Sequence, residues 1–338
     1  MQTNIQPIEQ LFDPVFASAY LTEHAPNFAA SHNLSDLSIT PIKRNIGEKF
    51  YHVVIRYQAA SFGDILVFCS AHSQENREQA YEALTFINEH GFKAQKVFLP
   101  KPLFFEKKFN AFFYQGMEGK TLLTFIRKPD TDLSEYLNQT AYWIAQLHQV
   151  DTQDAKNFNP DNSQIKTILP GPERFLPKIK KLFPEYYKQI KTVFEKLVTE
   201  EEQSLTHLPH KYLIHGDFHP ENVIINKTDG KISAIDFTDI CLGDWARDVG
   251  GFMQQLEFMS AGFHSQEKIE ALQKLFVEYY CTHRSISLLN EDWKRIRMYQ
   301  IWTALRSAIY FLTKAPAEPK EAKAELTMVQ QILKNSTL

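Results

Sequence analysis

Residues 212–251 read YLIHGDFHPENVIINKTDGKISAIDFTDICLGDWARDVGG, and the rest of the chain is best understood outward from them. Two short apolar runs, YLI (212–214) and VIIN (223–226), flank the polar loop HGDFHPEN. The turn TDG (228–230) then leads into a third run, SAIDF (233–237). Apolar segments bounded by turn residues read as short strands, so Asp217 and Asp236 are both expected at strand ends, facing one cleft. Asp217 and Asn222 stand in D-x-x-x-x-N spacing, and Asp236 follows Asp217 by nineteen residues.

That set of groups suits phosphoryl transfer. A loop carboxylate must sit beside the acceptor hydroxyl, while a carboxamide oxygen and a second carboxylate hold Mg²⁺ against nucleotide phosphates; oxygen donors match that hard ion. Positioning and charge neutralisation supply most of such catalysis, so the protein needs little else. The plainer reading is a strand-turn-strand in which Asp217 and Asn222 only cap backbone groups. It leaves the recurrence of Asp236 and of the run Gly243-Asp244-x-x-x-Asp248 without a reason.

HGDFHPENVI and IDFTDICLGDWARDVG resemble the catalytic-loop and metal-site segments of the aminoglycoside phosphotransferase and choline kinase-like family, whose members share the protein-kinase fold. The resemblance implies that Asp217 is the catalytic base and that Asn222 and Asp236 are Mg²⁺ ligands. It further implies that His215 supports the loop, gives His219 a place in the same motif, and makes Asp244 and Asp248 acids that brace the loop or line the acceptor side. ATP or GTP would be the co-substrate and a small-molecule hydroxyl the acceptor. FFYQGMEG (112–119) is similar to the family's strand into the interlobe hinge, and LNQTAYWIAQLHQV (137–150) to the helix before its catalytic loop.

Outside this segment the chain changes texture. From Pro7 to about His24, Ile8, Leu11, Phe12, Phe16, Tyr20 and Leu21 recur at helical spacing, predicting a leading helix or helix pair. LSITPIK, FYHVVIRYQ and DILVFCSA, between Leu37 and Ala71, are rich in β-branched and aromatic residues and predict three antiparallel strands. SQENREQAYEALTFINEH (73–90) carries Ala80, Ala83, Leu84 and Ile87 on one face and stops at Gly91, predicting a helix. KVFLPKPLFF (96–105) and NAFFYQGMEG (110–119) would complete a five-stranded sheet. Beyond Gly119 five segments read as helical: 133–149, 172–202, 250–259, 267–283 and 291–314, with a polar surface loop expected over 151–172. The expectation is an α+β, two-lobed protein-kinase-like fold, with a small antiparallel-sheet lobe over residues 1–114 and a larger, mainly helical lobe over 115–338.

The chain departs from the family pattern in its first lobe. The hairpin that should cover nucleotide phosphates has one glycine, Gly47. The third strand, DILVFCSAH (64–72), has no lysine for the α- and β-phosphates. Arg56, on the neighbouring strand, is the nearest basic candidate, with strand alternation leaving its face open. Glu78 is preferred over Glu82 as the helix acid that would meet such a cation. A catalytically silent pseudokinase that binds a nucleotide or partner is therefore the rival reading. Arg295, Arg297 and Arg306, on the last of these helical segments, read as a solvated face or as cations offered to an anionic acceptor.

Composition narrows the classes. With 37 Lys+Arg against 40 Asp+Glu, the net charge of −3 supplies no general basic field for nucleic acid. Cys69, Cys241 and Cys281 are three, widely spaced and in no CxxC pair, which argues against a disulfide framework and fits a cytoplasmic protein. His207, His210, His215 and His219 have no cysteine among them, so metal other than Mg²⁺ is not expected. No export signal or uninterrupted apolar stretch of membrane-spanning length is visible; a monomer or homodimer is expected.

Overall fold

In a computed structural model that describes residues 6–63, 65–208, 210–226 and 228–335, the alternating segments of the first third pair as one antiparallel sheet. Its strands are β1 (Ser38–Ile46), β2 (Tyr51–Gln58), β3 (Ile65–His72), β4 (Lys101–Glu106) and β5 (Ala111–Met117), in the order β1-β2-β3-β5-β4. One face carries Val53, Ile55, Tyr57, Val67, Cys69, Ala71 and Phe113. These share a core with Ile8, Leu11, Ala17, Leu21 and Phe28 of the leading segment. That segment is divided into α1 (Gln6–Glu9), α2 (Pro14–His24) and α3 (Pro26–Ser31). The breaks fall where Pro14 and Pro26 open new helices, since proline lacks the N–H that would continue the previous one. Each fully buried aliphatic side chain in this core contributes about 1.5–3 kcal/mol.

The helix predicted over 73–90 is α4 (Arg77–Glu89). Asn76 caps it by accepting from the Glu78 and Gln79 amides, and Ala80, Ala83, Leu84 and Ile87 are its buried apolar stripe. It packs on β3, β4 and β5. By strand alternation, His52, Val54 and Arg56 of β2 and Phe68, Ser70 and His72 of β3 lie on the sheet face away from the leading helices.

The backbone divides into two compact units, the first running to Lys120 and also taking in Ile224–Thr238, the second comprising Thr121–Val223 and the chain from Asp239 onward. The boundary expected at residue 114 thus lies inside β5, whose pairing with β3 continues through Met117. The strands after the HGDFHPEN loop, expected in the helical lobe, count with the first unit, where the Phe98 amide donates to the Ile232 carbonyl at 2.8 Å. A short β6 (Lys120–Thr121) forms a three-stranded sheet with Val223–Ile225 (β8) and Ile232–Ala234 (β9), in the order β6-β8-β9. Gly119 is needed beside it, because a Cβ there would lie 2.5 Å from the Ile225 carbonyl oxygen.

The second unit is built from α5 (Leu122–Ile126), α6 (Ser134–Leu147), α7 (Pro172–Leu182), α8 (Pro184–Leu205), α9 (Ala246–Ser260), α10 (Gln266–Arg284), α11 (Asn290–Thr313) and α12 (Pro319–Asn335). β7 (Tyr212–Ile214) and β10 (Cys241–Gly243) pair antiparallel within it, while β8 (Val223–Ile225) and β9 (Ile232–Ala234) follow the HGDFHPEN loop. The segment read as one helix over 172–202 is two, because Pro184 forces Phe183 out of helical geometry and starts α8 at its first turn. α11 packs against α8, α9 and α12, and α10 against α6. The polar loop over 151–172 is pinned rather than loose: Phe158, Asn162 and Ile165 are buried, and the Ile165 amide donates to the buried Glu201 carboxylate. No helix among the described residues is long and apolar enough to cross a membrane.

Candidate active site

β7 delivers the chain into HGDFHPEN, and a buried carboxylate sets the loop's course. Asp248, in the first turn of α9, accepts from the backbone amides of His215 at 2.7 Å and Gly216 at 2.9 Å. It is also paired with His148 Nε2 at 3.0 Å, whose Nδ1 meets the Tyr280 hydroxyl at 2.8 Å. Burial works against ionisation of Asp248, yet these donors hold its carboxyl below the usual range. Gly216 turns with φ +80°, and a Cβ there would collide with Asn162 and the Asp239 carbonyl. Asp248 thus holds two amides at the root of this loop.

The turn presents Asp217 with 40% of its side chain exposed. His219 accepts from the Glu221 amide at Nδ1, leaving Nε2 to face Asp217 Oδ2 at 3.4 Å. Arg306, from α11, places NH1 3.7 Å from Asp217 Oδ1 and NH2 3.8 Å from Asp239 Oδ2. Burial raises the Asp217 pKa, but the His219 contact and the Arg306 charge outweigh it and keep the carboxyl well below the usual range. Phe218, beneath the turn, stacks on Trp143 at a centroid distance of 6.0 Å. Asn222, buried, donates Nδ2 to the Asp217 carbonyl at 2.9 Å, and its carboxamide oxygen is the atom able to ligate a cation. His215 is wholly buried.

Asp244 has a different task. Both its oxygens lie 3.1 Å from Arg295 NH1, and it accepts from the Ala246 amide at the start of α9. Burial, partly offset by Arg295, pushes its carboxyl up to about 6. Of the three arginines read as a possible cationic face, Arg295 is spent on Asp244 and Asp292, Arg297 is exposed, and Arg306 stands at Asp217. Sequence reasoning missed Asn162 and Asp239. Asn162 receives the Arg247 guanidinium on its carbonyl and side-chain oxygens and donates to the Asp239 carbonyl at 2.8 Å. The second carboxylate in IDFTD was the available signal for Asp239.

Asp236 belongs to the first unit. Its backbone is left-handed, φ +64°, and its half-exposed carboxylate accepts from the Thr238 hydroxyl at 2.8 Å. A non-glycine residue held there costs of order 1–3 kcal/mol, and such residues gather at functional sites. Arg77, unremarked in the sequence, has NH1 3.9 Å from Asp236 Oδ1. Arg56 is on the face away from the leading helices but is engaged elsewhere, donating to Thr40 Oγ1 at 3.2 Å with Glu118 at 3.8 Å. Glu78 is exposed in the first turn of α4 and forms no ion pair with Arg56. Gly47 closes the β1–β2 hairpin through its amide to the Phe50 carbonyl at 2.8 Å.

Taken each by itself, the Asn222 carboxamide oxygen and the half-exposed Asp236 carboxylate are donors of the kind a hard cation takes. Among the described residues no group of three or more His, Cys, Asp and Glu side chains is arranged to hold a metal by itself. Mg²⁺ needs no such cage when substrate phosphates and water complete its shell.

Three solved structures share this fold. A Plasmodium vivax ethanolamine kinase is 16% identical over 96% of this chain and 90% of its own, with a TM-score of 0.59. A choline kinase from Cryptosporidium parvum is 11% identical over 96% of both chains, with a TM-score of 0.66. A spectinomycin phosphotransferase, solved with ADP and spectinomycin, is 12% identical over 90% of this chain and 92% of its own, at 0.52. No curated protein matches the sequence. The model of the phosphotransferase enzyme family matches residues 63–299, from the third strand into α11 and through the whole HGDFHPEN loop. The chain, an α+β protein with a protein-kinase-like fold, belongs to the phosphotransferase enzyme family.

Proposed function

We propose that this chain transfers the terminal phosphoryl group of ATP or GTP to a hydroxyl of a small molecule. The observation that carries this reading is the Asp217 carboxylate, kept ionised and partly exposed at the tip of a braced loop. Asp217 orients the acceptor hydroxyl and takes its proton. A carboxylate of low basicity suffices, because the transition state of phosphoryl transfer is loose and asks little activation of the nucleophile. Asn222 and Asp236 are the proposed oxygen ligands for Mg²⁺, which when bound would neutralise phosphate charge. The guanidinium of Arg306, 3.7 Å from Asp217, favours an acceptor that is neutral or anionic over a polycation. The free, buried or half-buried cysteines suit a cytoplasmic location.

A silent nucleotide-binding protein is the second reading, favoured by the lysine-free third strand. The test is Asp217→Asn against the parent: nucleoside diphosphate release across a panel of hydroxyl acceptors, beside calorimetric binding of ATP and GTP with Mg²⁺. Loss of transfer with retained nucleotide affinity is expected. Near-parent turnover in the variant would overturn the role of Asp217, and a parent that binds nucleotide yet releases no diphosphate with any acceptor would favour the silent reading.

A further inference from the structure

The third strand lacks a cation on the sheet face where the family pattern calls for one, yet that face is not without positive charge. Arg77 opens α4 directly after the Asn76 cap, is only 2% exposed, and comes to Asp236 within 3.9 Å. Its amide is fixed by the Asn110 side chain at 3.2 Å. Its other contacts are Glu75, at 3.1 Å, and His52 Nε2, at 3.4 Å. Burial, Lys43 and Arg77 together push the His52 imidazole down to about 4, so it is neutral near pH 7 and accepts from the guanidinium. His72 accepts from two backbone amides at Nδ1. Arg77 Nε is buried with no hydrogen-bond partner among the described residues.

A buried guanidinium with a donor unspent is costly to keep unless its charge is used. Here it faces the side chain of a residue held in a left-handed conformation, at the position proposed to ligate Mg²⁺. We propose that Arg77 replaces the missing strand lysine as a positioning residue. It holds the Asp236 carboxylate in place and supplies fixed positive charge on the nucleotide side of the first unit. The cation has moved from the middle of the third strand to the first turn of the helix that follows it. This inference rests on the phosphotransferase reading above.

The experiment is calorimetric titration of ATP and GTP, with and without Mg²⁺, into the parent and four variants. Arg77→Met should weaken Mg²⁺-nucleotide binding ten- to a hundredfold, while Arg77→Lys, which keeps the charge and loses the fork, falls between. Glu75→Gln removes the other ionic partner of Arg77 without touching Asp236 and should bind as the parent does. Ser70→Lys in the Arg77→Met background returns a cation to the third strand on the face shared with Val54 and should recover at least threefold of the loss. A merely structural Arg77 would not be rescued from a different element. Parent-like affinity in Arg77→Met, an equal loss in Glu75→Gln, or no recovery by Ser70→Lys would each overturn the proposal while leaving the enzyme reading standing. A parent that binds neither nucleotide would overturn both.

Discussion

Asp248→Ala removes the acceptor for two buried backbone amides at the root of the proposed catalytic loop. The bonds, 2.7 Å from His215 and 2.9 Å from Gly216, run to an ionised group. Hydrogen bonds of that kind contribute about 1.5–3 kcal/mol each, so the pair predicts a loss of roughly 3–6 kcal/mol in the second unit. Asp248→Asn keeps one carbonyl oxygen and turns an NH₂ toward the other amide, so about half that loss is expected. The assay is urea unfolding at pH 7 followed by Trp fluorescence and circular dichroism. Because the folded carboxyl is held below its usual range, its stabilisation is present above the unfolded pKa of about 4 and disappears as the pH falls through the folded value. The gap between parent and Asp248→Ala should therefore persist at pH 5 and narrow below about pH 4. Transfer should fall with the same substitutions, since the amides they release carry the chain into Asp217. An Asp248→Ala protein within 1 kcal/mol of the parent would refute the brace.

Gly216→Ala should destabilise by more than ~2 kcal/mol and abolish transfer, since it adds left-handed strain to a collision with Asn162 and the Asp239 carbonyl; thermal melting and diphosphate release check it. Glu325 on α12 is buried beside Gln254, with burial as the main cause pushing its carboxyl up to about 8. The folded state thus keeps a proton that the unfolded chain releases near pH 4.5, and stability should fall as the pH rises from about 4.5 to 8. Glu325→Gln should flatten that slope and melt higher than the parent at pH 8; an unchanged slope would remove Glu325 from the account.

The candidate loop stood out in the sequence because the groups that single it out are local. Asp217, Asn222 and Asp236 lie within one short run, where spacing alone relates them, and the family resemblance rests on the same run. The first sheet was legible too: alternation assigns Val53, Ile55 and Tyr57 to one face whatever covers it. Alternation also separates Arg56 from those residues, but it could not say which face meets the leading helices. The boundary at residue 114 was less legible, because a turn-rich sequence marks where a strand weakens and not where its contacts end.

The partners of these groups follow from contacts between residues remote along the chain. Arg77 and Asp236 sit on different elements, and no periodicity in REQAYEALTFINE distinguishes a buried arginine at the first turn from a solvated one. Arg306 reaches Asp217, Arg295 reaches Asp244, and Arg247 reaches Asn162 by the packing of α9 and α11 and the pinned loop over 151–172. In sequence those arginines are equivalent cations on amphipathic helices. Burial and the direction of each side chain separate a clamp from a residue beside the proposed base, and both are set by the packing of the helices against one another.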